Sequence, residues 1–116
     1  MTEVLVVDGA NVVGSVPDGW WRDRRGAAVR LRDRLAVYAE QHPGVDVVLV
    51  VEGRARGVDA LPSVRVEEAP GDGDDHIVAV VAAAGRPCTV VTADRELRLR
   101  VEELGARCAG PRTVYP

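Results

Sequence analysis

The chain has 116 residues, a net charge of −3, and an apolar content of 47% in which Phe is absent. This length predicts a single domain spanning residues 1–116, with an aliphatic core built from Val, Leu and Ala. The negative charge argues against a passive surface for binding polyanions, but it does not exclude a nucleic-acid enzyme whose bound divalent metal reverses the local field.

Signals for export or membrane insertion are not evident in the sequence. Met1–Glu3 carries no basic group, and the first apolar run is too short for a secretory signal. No run approaches the length of a membrane-spanning helix. Cys88 and Cys108 lie in apolar, strand-like surroundings, which is typical of free thiols in a reducing compartment. We therefore expect a soluble, cytoplasmic protein that does not contact a membrane.

Apolar runs and breaker residues divide the chain into alternating strands and helices. Short apolar runs predict five strands, which are Val4–Val7, Val45–Val51, Val64–Glu67, Cys88–Thr92 and Arg107–Ala109. Helical spacing of apolar residues predicts three helices, which span Arg22–Gln41, the segment from the acidic turn Gly71–Asp75 to Ala84, and Arg95–Leu104. In the last helix we expect Leu97, Val101 and Leu104 to face the core.

This alternation predicts an α/β fold with a mostly parallel five-stranded sheet in the order 3-2-1-4-5 and helices on both faces. The chain then reverses direction between the first and fourth strands, and ligand sites in such sheets lie at this reversal, beyond the carboxyl ends of the strands. Asp8 follows the first strand, Asp74 begins the helix leading into the fourth strand, and Asp94 follows that strand. Topology alone therefore predicts that three aspartates share one pocket.

Such an acidic pocket favours metal binding. Two carboxylates at roughly 4 Å repel each other by about 4 kcal/mol at an effective dielectric near 20, so a cluster requires a metal or raised pKa values. Oxygen ligands favour Mg²⁺ or Mn²⁺. Asp75 and Glu52 are further candidate ligands, and Asn11 is a candidate to contact a substrate. Each acidic residue taken alone is equally well explained as a helix cap or turn residue, and Asp72 is another candidate cap.

Several enzyme classes that place an Asp after the first strand are excluded by missing residues. Response-regulator receivers need a Lys near the last strand, and all fifteen basic residues here are Arg. Haloacid-dehalogenase phosphatases need a second Asp two residues after the first, where this chain has Ala10. P-loop NTPases need a Gly-Lys-Ser/Thr motif, which is absent. A metal site is therefore favoured over a phospho-acceptor site.

Two features near the first helix have both a structural and a nucleic-acid interpretation. Trp20 and Trp21 flank the loop after the first strand, where packing anchors are favoured over partners for base stacking. The stretch Arg22–Arg34 carries six Arg against two Asp. A solvated helix face with local ion pairs is favoured there over a surface that follows phosphates.

Four segments resemble the motifs of NYN domains, especially those of their YacP-like branch. They are Val6–Gly14 (VVDGANVVG), Val51–Gly53 (VEG), Gly73–Ile77 (GDDHI) and Val90–Leu97 (VVTADREL). The match is collinear and covers nearly the whole chain. NYN domains belong to the PIN-like superfamily, so the resemblance implies a Rossmann-like three-layer sandwich, a divalent metal (Mg²⁺ or Mn²⁺), and endonucleolytic cleavage of RNA. It also implies that Asp8, Asp74 and Asp94 are metal ligands and catalytic residues.

The resemblance leaves alternatives open. Many PIN nucleases carry a further acidic residue on a helix, for which Arg22–Gln41 offers no evident equivalent and Glu52 is the candidate substitute. In a nuclease, Arg95 and Arg54 are candidates to position the RNA backbone. The alternatives are a non-catalytic RNA- or protein-binding module of the same fold, and a nucleotide pyrophosphohydrolase using the same acidic site. Because PIN-like domains often dimerise, a homodimer is a further alternative.

Overall fold

The computed structural model describes residues 2–115. Its strands are β1 (Glu3–Asp8), β2 (Val45–Val51), β3 (Val64–Glu68), β4 (Cys88–Val91) and β5 (Arg107–Ala109). The α-helices of this part of the chain are α1 (Gly9–Gly14), α2 (Arg24–Gln41), α3 (Gly73–Ala84) and α4 (Arg95–Glu102). All strand pairs are parallel and their order is β3-β2-β1-β4-β5, which confirms the predicted fold and strand order.

The sheet has an aliphatic core on each face, because its central strands are rich in Val and Leu on both sides. On one face, Leu5 and Val7 pack with the buried residues of α1 and α2. On the other face, Val4 and Val6 pack with the buried residues of α3 and α4. This three-layer arrangement directs the carboxyl ends of β1, β2 and β4 toward the same edge of the sheet.

The short helix α1 is the main element that the sequence did not predict. The sequence Asp8-Gly9-Ala10-Asn11 resembles an ordinary turn, but the structure continues it as a helix. Asp8 caps this helix, and the side chains of Val12 and Val13 on its inner face are buried. The helix starts without an intervening loop because Gly9 lies against β2: a Cβ atom there would meet the carbonyl oxygen of Val50 at 2.5 Å.

The end of α4 differs from the prediction that Leu104 faces the core. Leu97 and Val101 are fully buried, but Leu104 is 48% exposed. The helix stops at Glu102, and Gly105 takes a left-handed φ of 87°. The amide of Ala106 then donates to the carbonyl of Val101, which is the hydrogen bond of a Schellman motif, so Ala106 is buried where Leu104 was expected.

Smaller differences concern α2 and α3. Helix α2 begins at Arg24 rather than Arg22, because Asp23 caps it by accepting a hydrogen bond from the amide of Gly26 at 2.9 Å. Helix α3 is apolar around most of its circumference, yet only one side is buried, through Ile77 and Val81.

Two features bear on the expected cellular environment. Cys88 is buried and Cys108 is half-buried, and both are free thiols. Of the helices between residues 2 and 115, none combines the length and the apolar character that crossing a membrane requires.

Candidate functional site

Asp8 lies at the centre of the carboxyl edge. It is the last residue of β1 and is only 5% exposed. Its Oδ2 atom accepts a hydrogen bond from the hydroxyl of Thr92 at 2.9 Å, and its Oδ1 atom accepts one from the amide of Asn11 at 3.4 Å. The carboxylate is therefore held in one orientation by groups from α1 and from the end of β4.

Asp94 is positioned by the turn that connects β4 to α4. Its backbone amide donates to the Thr92 hydroxyl oxygen at 3.1 Å, and its own Oδ1 atom accepts from the amide of Leu97 at 3.1 Å. The Asn11 side chain supports the same turn, because its Oδ1 atom accepts from the amide of Ala93 at 2.8 Å. Asp94 is thus a helix cap within the acidic site, and Asn11 connects α1 to this turn.

Glu52 and Asp74 come from the other side of the edge. Glu52 directly follows β2, and its Oε2 atom accepts a hydrogen bond from the amide of Gly73 at 2.6 Å. This bond ties the end of β2 to the first turn of α3, which carries Asp74. The cap of α3 is Asp72, whose Oδ1 atom accepts from the Asp74 amide at 2.9 Å, so the Asp74 side chain is not needed as the cap.

The electrostatics indicate that these carboxylates act on one another. Burial raises the pKa of Asp8, the hydrogen bonds from Thr92 and Asn11 oppose this rise, and the charges of Glu52 and Asp94 add to it. Burial also raises the pKa of Asp74 to about 6, with smaller contributions from the charges of Asp8, Asp94, Asp72 and Glu52. The structure therefore brings Asp8, Asp74, Asp94 and Glu52 into one acidic site.

The remaining candidates lie at or outside the rim of this site. Asp75 points away from it: the side chain is 71% exposed and pairs with Arg100 at 2.9 Å. Arg95 is exposed on the first turn of α4, directly after Asp94. Arg54 is exposed in the 3₁₀ turn that follows Glu52. The two arginines thus each follow a residue of the acidic site closely in sequence. Asp75 belongs instead to a surface ion pair between α3 and α4.

The carboxylates suit a hydrated divalent ion better than a closed cage of protein ligands. Within residues 2–115, no three Asp, Glu, His or Cys side chains lie close enough together to hold one ion directly. Mg²⁺ keeps several waters and takes one or two carboxylates, so it does not require three direct ligands. Asp8 and Asp74, with Asp94 and Glu52 around them, offer oxygen ligands of the kind that Mg²⁺ and Mn²⁺ prefer.

Sequence reasoning missed Thr92 as a residue of the site. Its side chain is fully buried, donates to Asp8 and accepts from the amide of Asp94. The sequence did carry a signal for it: Thr92 is a hydroxyl residue at the end of a buried strand, two positions before Asp94. Asp72 was a weaker candidate for the site as well as a candidate cap, and in the structure it is the cap of α3.

Most contacts of the tryptophans and arginines near α2 are structural, as packing anchors and ion pairs within the chain. Trp20 packs on the core, whereas Trp21 is 55% exposed and meets Trp20 edge to face. Arginines of the stretch Arg22–Arg34 bind groups of the same chain: Arg30 pairs with Asp18 at 3.2 Å, and Arg34 donates to the carbonyl of Val114.

Comparison with known proteins finds solved structures that share the fold. No protein-family model matches the chain, and no curated protein matches it. The crystal structure of Rae1 (YacP) from Bacillus subtilis superposes with a TM-score of 0.76 and 22% identity, covering 97% of this chain and 71% of that one. The chain has a YacP-like fold. A tryptophan-to-leucine variant of Rae1 (YacP) superposes with a TM-score of 0.75 and 21% identity, covering 98% of this chain and 73% of that one.

Proposed function

We propose that this protein is a metal-dependent endoribonuclease of the NYN type within the PIN-like superfamily. The observation that carries the proposal is the convergence of Asp8, Glu52, Asp74 and Asp94 at the carboxyl edge, where they come from four separate segments. Burial, with smaller contributions from the charges of its acidic neighbours, raises the pKa of Asp74 there to about 6. Repulsion among these carboxylates does not stabilise the fold. The clustering of the four carboxylates is explained by a function that uses concentrated negative charge.

In this proposal Asp8, Asp74 and Asp94, with Glu52 beside them, would hold a hydrated Mg²⁺ or Mn²⁺. When bound, the metal lowers the pKa of a coordinated water and offsets charge on the attacked phosphate. The protein keeps Asp8 ready for the cation through the Thr92 hydroxyl, which fixes the carboxylate and favours its charged form. Glu52 holds the start of α3 through Gly73 and so fixes the position of Asp74.

The substrate we propose is single-stranded RNA. Arg54 and Arg95 are exposed and follow Glu52 by two residues and Asp94 by one, and in this proposal they contact backbone phosphates of the RNA. The net charge of −3 is consistent with a local rather than a general attraction for RNA, supplied by these arginines and by the bound cation. The likeness to Rae1 (YacP) supports the fold that this proposal needs.

A second candidate function is a non-catalytic RNA- or protein-binding module. The observation that favours it is that three of the carboxylates also have structural tasks: Asp8 and Asp94 cap helices, and Glu52 accepts the hydrogen bond from Gly73. A chain that retained these residues for folding alone would keep them without cleaving RNA. A pyrophosphohydrolase would use the same carboxylates on a nucleoside triphosphate.

The test is cleavage of a mixed set of unstructured RNAs in the presence of Mn²⁺, with and without a chelator. Asp94→Asn is the informative variant because Asn caps helices as well as Asp, so the substitution removes charge and leaves the cap of α4. Asp75→Asn is the matched control, since Asp75 lies outside the acidic site. We expect the wild type and Asp75→Asn to cleave and Asp94→Asn to lose activity by at least roughly 100-fold.

Three outcomes contradict the proposal. Absence of cleavage with every RNA argues for the binding module, and equal cleavage by wild type and Asp94→Asn removes the acidic site from the reaction. Release of phosphate or pyrophosphate from nucleoside triphosphates, without RNA cleavage, identifies the pyrophosphohydrolase instead.

A further inference from the structure

A cleft of about 360 Å³ opens beside the acidic site, between α1, the start of α2 and the turn after β2. The residues that matter for its chemistry are Ala10, Val13, Trp20, Arg24, Glu52 and Ala55. This volume lies within the range of roughly 300–1,000 Å³ that is usual for small-molecule pockets. Of the predicted site residues, Glu52 lines the cleft and the others do not, so the cleft and the acidic site share this one side chain.

The cleft is continuous with the acidic site through Glu52. This side chain borders the cleft, and its charge acts on Asp8 and Asp74. Gly9, which directly follows Asp8, forms part of the cleft wall. The cleft therefore borders the acidic site, and a strand bound at that site has the cleft beside it.

Trp20 and Arg24 form a cation–π pair in the cleft wall. The Arg24 guanidinium carbon lies 5.4 Å from the centroid of the Trp20 ring. Trp20 is held in place by its contact with the core and by Trp21, whose ring meets it edge to face at 6.0 Å. Indole rings and guanidinium planes are the protein groups on which unpaired nucleobases stack.

The cleft wall carries one cationic and one anionic side chain, Arg24 and Glu52, so its own charges balance and suit an uncharged occupant. The carboxylate of Glu52 at the mouth, with Asp8 and Asp74 behind it, repels a phosphate or carboxylate group that enters without a cation. The apolar wall formed by Val13 and Ala55 suits a flat aromatic group, and Arg24 can donate hydrogen bonds to ring or exocyclic acceptors of a base.

We propose that this cleft binds one unpaired nucleobase of the RNA, from a nucleotide next to the phosphodiester at the acidic site. The inference rests on the proposed function for its substrate, and it adds a base-binding subsite that anchors the strand. The base stacks on the Trp20–Arg24 pair, and its ribose faces Glu52. The cleavage position is then set in part by which base enters the cleft.

The first test measures binding without cleavage, so that it does not depend on catalysis. In a Trp21→Phe variant Trp20 is the single tryptophan, because the chain has two. This variant is titrated in a chelator with an oligoadenylate hexamer and with the same ribose-phosphate backbone lacking bases, at high ionic strength so that repulsion between the phosphates and the carboxylates is screened. We expect saturable quenching of Trp20 fluorescence by the oligoadenylate. The abasic strand should bind roughly five- to 150-fold more weakly, as expected for one lost stacking contact.

Variants of the cleft locate the binding. Ala10 is exposed on α1 and borders the cleft, so Ala10→Leu fills it, whereas Ala82→Leu adds the same volume to an exposed position on α3. Arg24→Gln removes the guanidinium from Trp20, and Arg22→Gln removes one that lies 5.7 Å from Trp21 instead. We expect Ala10→Leu and Arg24→Gln to weaken oligoadenylate binding and their controls to bind as the parent does.

The result separates this inference from the proposed function. Equal binding of the oligoadenylate and abasic strands, no binding of either, or unchanged binding by both cleft variants overturns the base-binding subsite even if the protein cleaves RNA. Base-dependent binding that is lost in both cleft variants supports the subsite even if no RNA is cleaved.

Discussion

The hydroxyl of Thr92 donates a hydrogen bond of 2.9 Å to the Oδ2 atom of Asp8 and so joins the ends of β4 and β1. Both side chains are buried, and Thr92 also accepts from the amide of Asp94. One hydroxyl group therefore determines the orientation of one acidic side chain and the backbone position of another. The geometry of the acidic site depends on a residue that is itself uncharged.

Replacing Thr92 by Val should destabilise the fold in a pH-dependent way. Val keeps the shape of Thr but leaves the buried Asp8 without its donor, which costs about 1–3 kcal/mol. The pKa of Asp8 is raised by burial, and the loss should grow as the pH rises through it, because an ionised carboxylate suffers more than a protonated one when a donor is removed. Denaturant unfolding at a series of pH values from acid to neutral measures it. Thr92→Ser, which keeps the hydroxyl, should show little pH dependence. Equal losses for the two variants would mean that the hydrogen bond is unimportant.

Asp74 should make the metal-free protein less stable as the pH rises from about 4 to about 6. Its pKa is raised in the folded state from the ordinary value of 3.8 to about 6, so the folded protein binds more protons than the unfolded chain in this window. Stability falls there and then levels off. Asp74→Asn should therefore be more stable than wild type at neutral pH, by roughly 0.5–1 kcal/mol after allowance for solvent screening.

The control for this prediction is Asp75→Asn, one residue along the same helix. Asp75 is exposed and paired with Arg100, so its substitution should not reproduce the pH-dependent gain. Thermal unfolding from about pH 4 to about pH 8, in a chelator, provides the comparison. A gain that is the same at every pH, or one shared by both variants, would show that ionisation of Asp74 within the acidic site is not its cause.

Gly9→Ala should destabilise the protein strongly. A Cβ atom at this position would lie 2.5 Å from the carbonyl oxygen of Val50, and a backbone atom in the central sheet cannot move aside as a side chain can. We expect a loss of about 1–3 kcal/mol in the free energy of unfolding, together with displacement of Asp8. Gly44→Ala is the control, because a Cβ atom there meets nothing within 4 Å. If both variants unfold at the same denaturant concentration, the contact between α1 and β2 is looser than the structure indicates.

The sequence predicted the sheet well because its strands are marked by composition. The run Val45–Val51 and the shorter runs at β1 and β4 can be buried only in the middle of a sheet, and the alternation with helices then leaves few strand orders. The sequence failed where backbone conformation overrides local pattern. Asp8-Gly9 is typical of a turn but starts α1, and the left-handed turn at Gly105 carries Leu104 outward.

The candidate site was predicted as far as topology determines it. Strand ends bring Asp8, Asp94 and Glu52 to one edge, and the start of α3 brings Asp74 there. The individual hydrogen bonds could not be predicted, since they depend on side-chain rotamers and on distances of a few tenths of an ångström. The bond from Gly73 to Glu52 and the pairing of Asp75 with Arg100 belong to this second class.

The acidic site as a divalent-metal site is the central claim, and it is tested most directly by crystals of the protein soaked in Mn²⁺. Anomalous scattering from Mn²⁺ locates the ion independently of any activity. We predict an anomalous peak within coordination distance of at least one of Asp8, Asp74 and Asp94, which disappears in Asp8→Asn crystals grown and soaked identically. No peak at the carboxyl edge, or a peak that persists unchanged in Asp8→Asn, would contradict the claim.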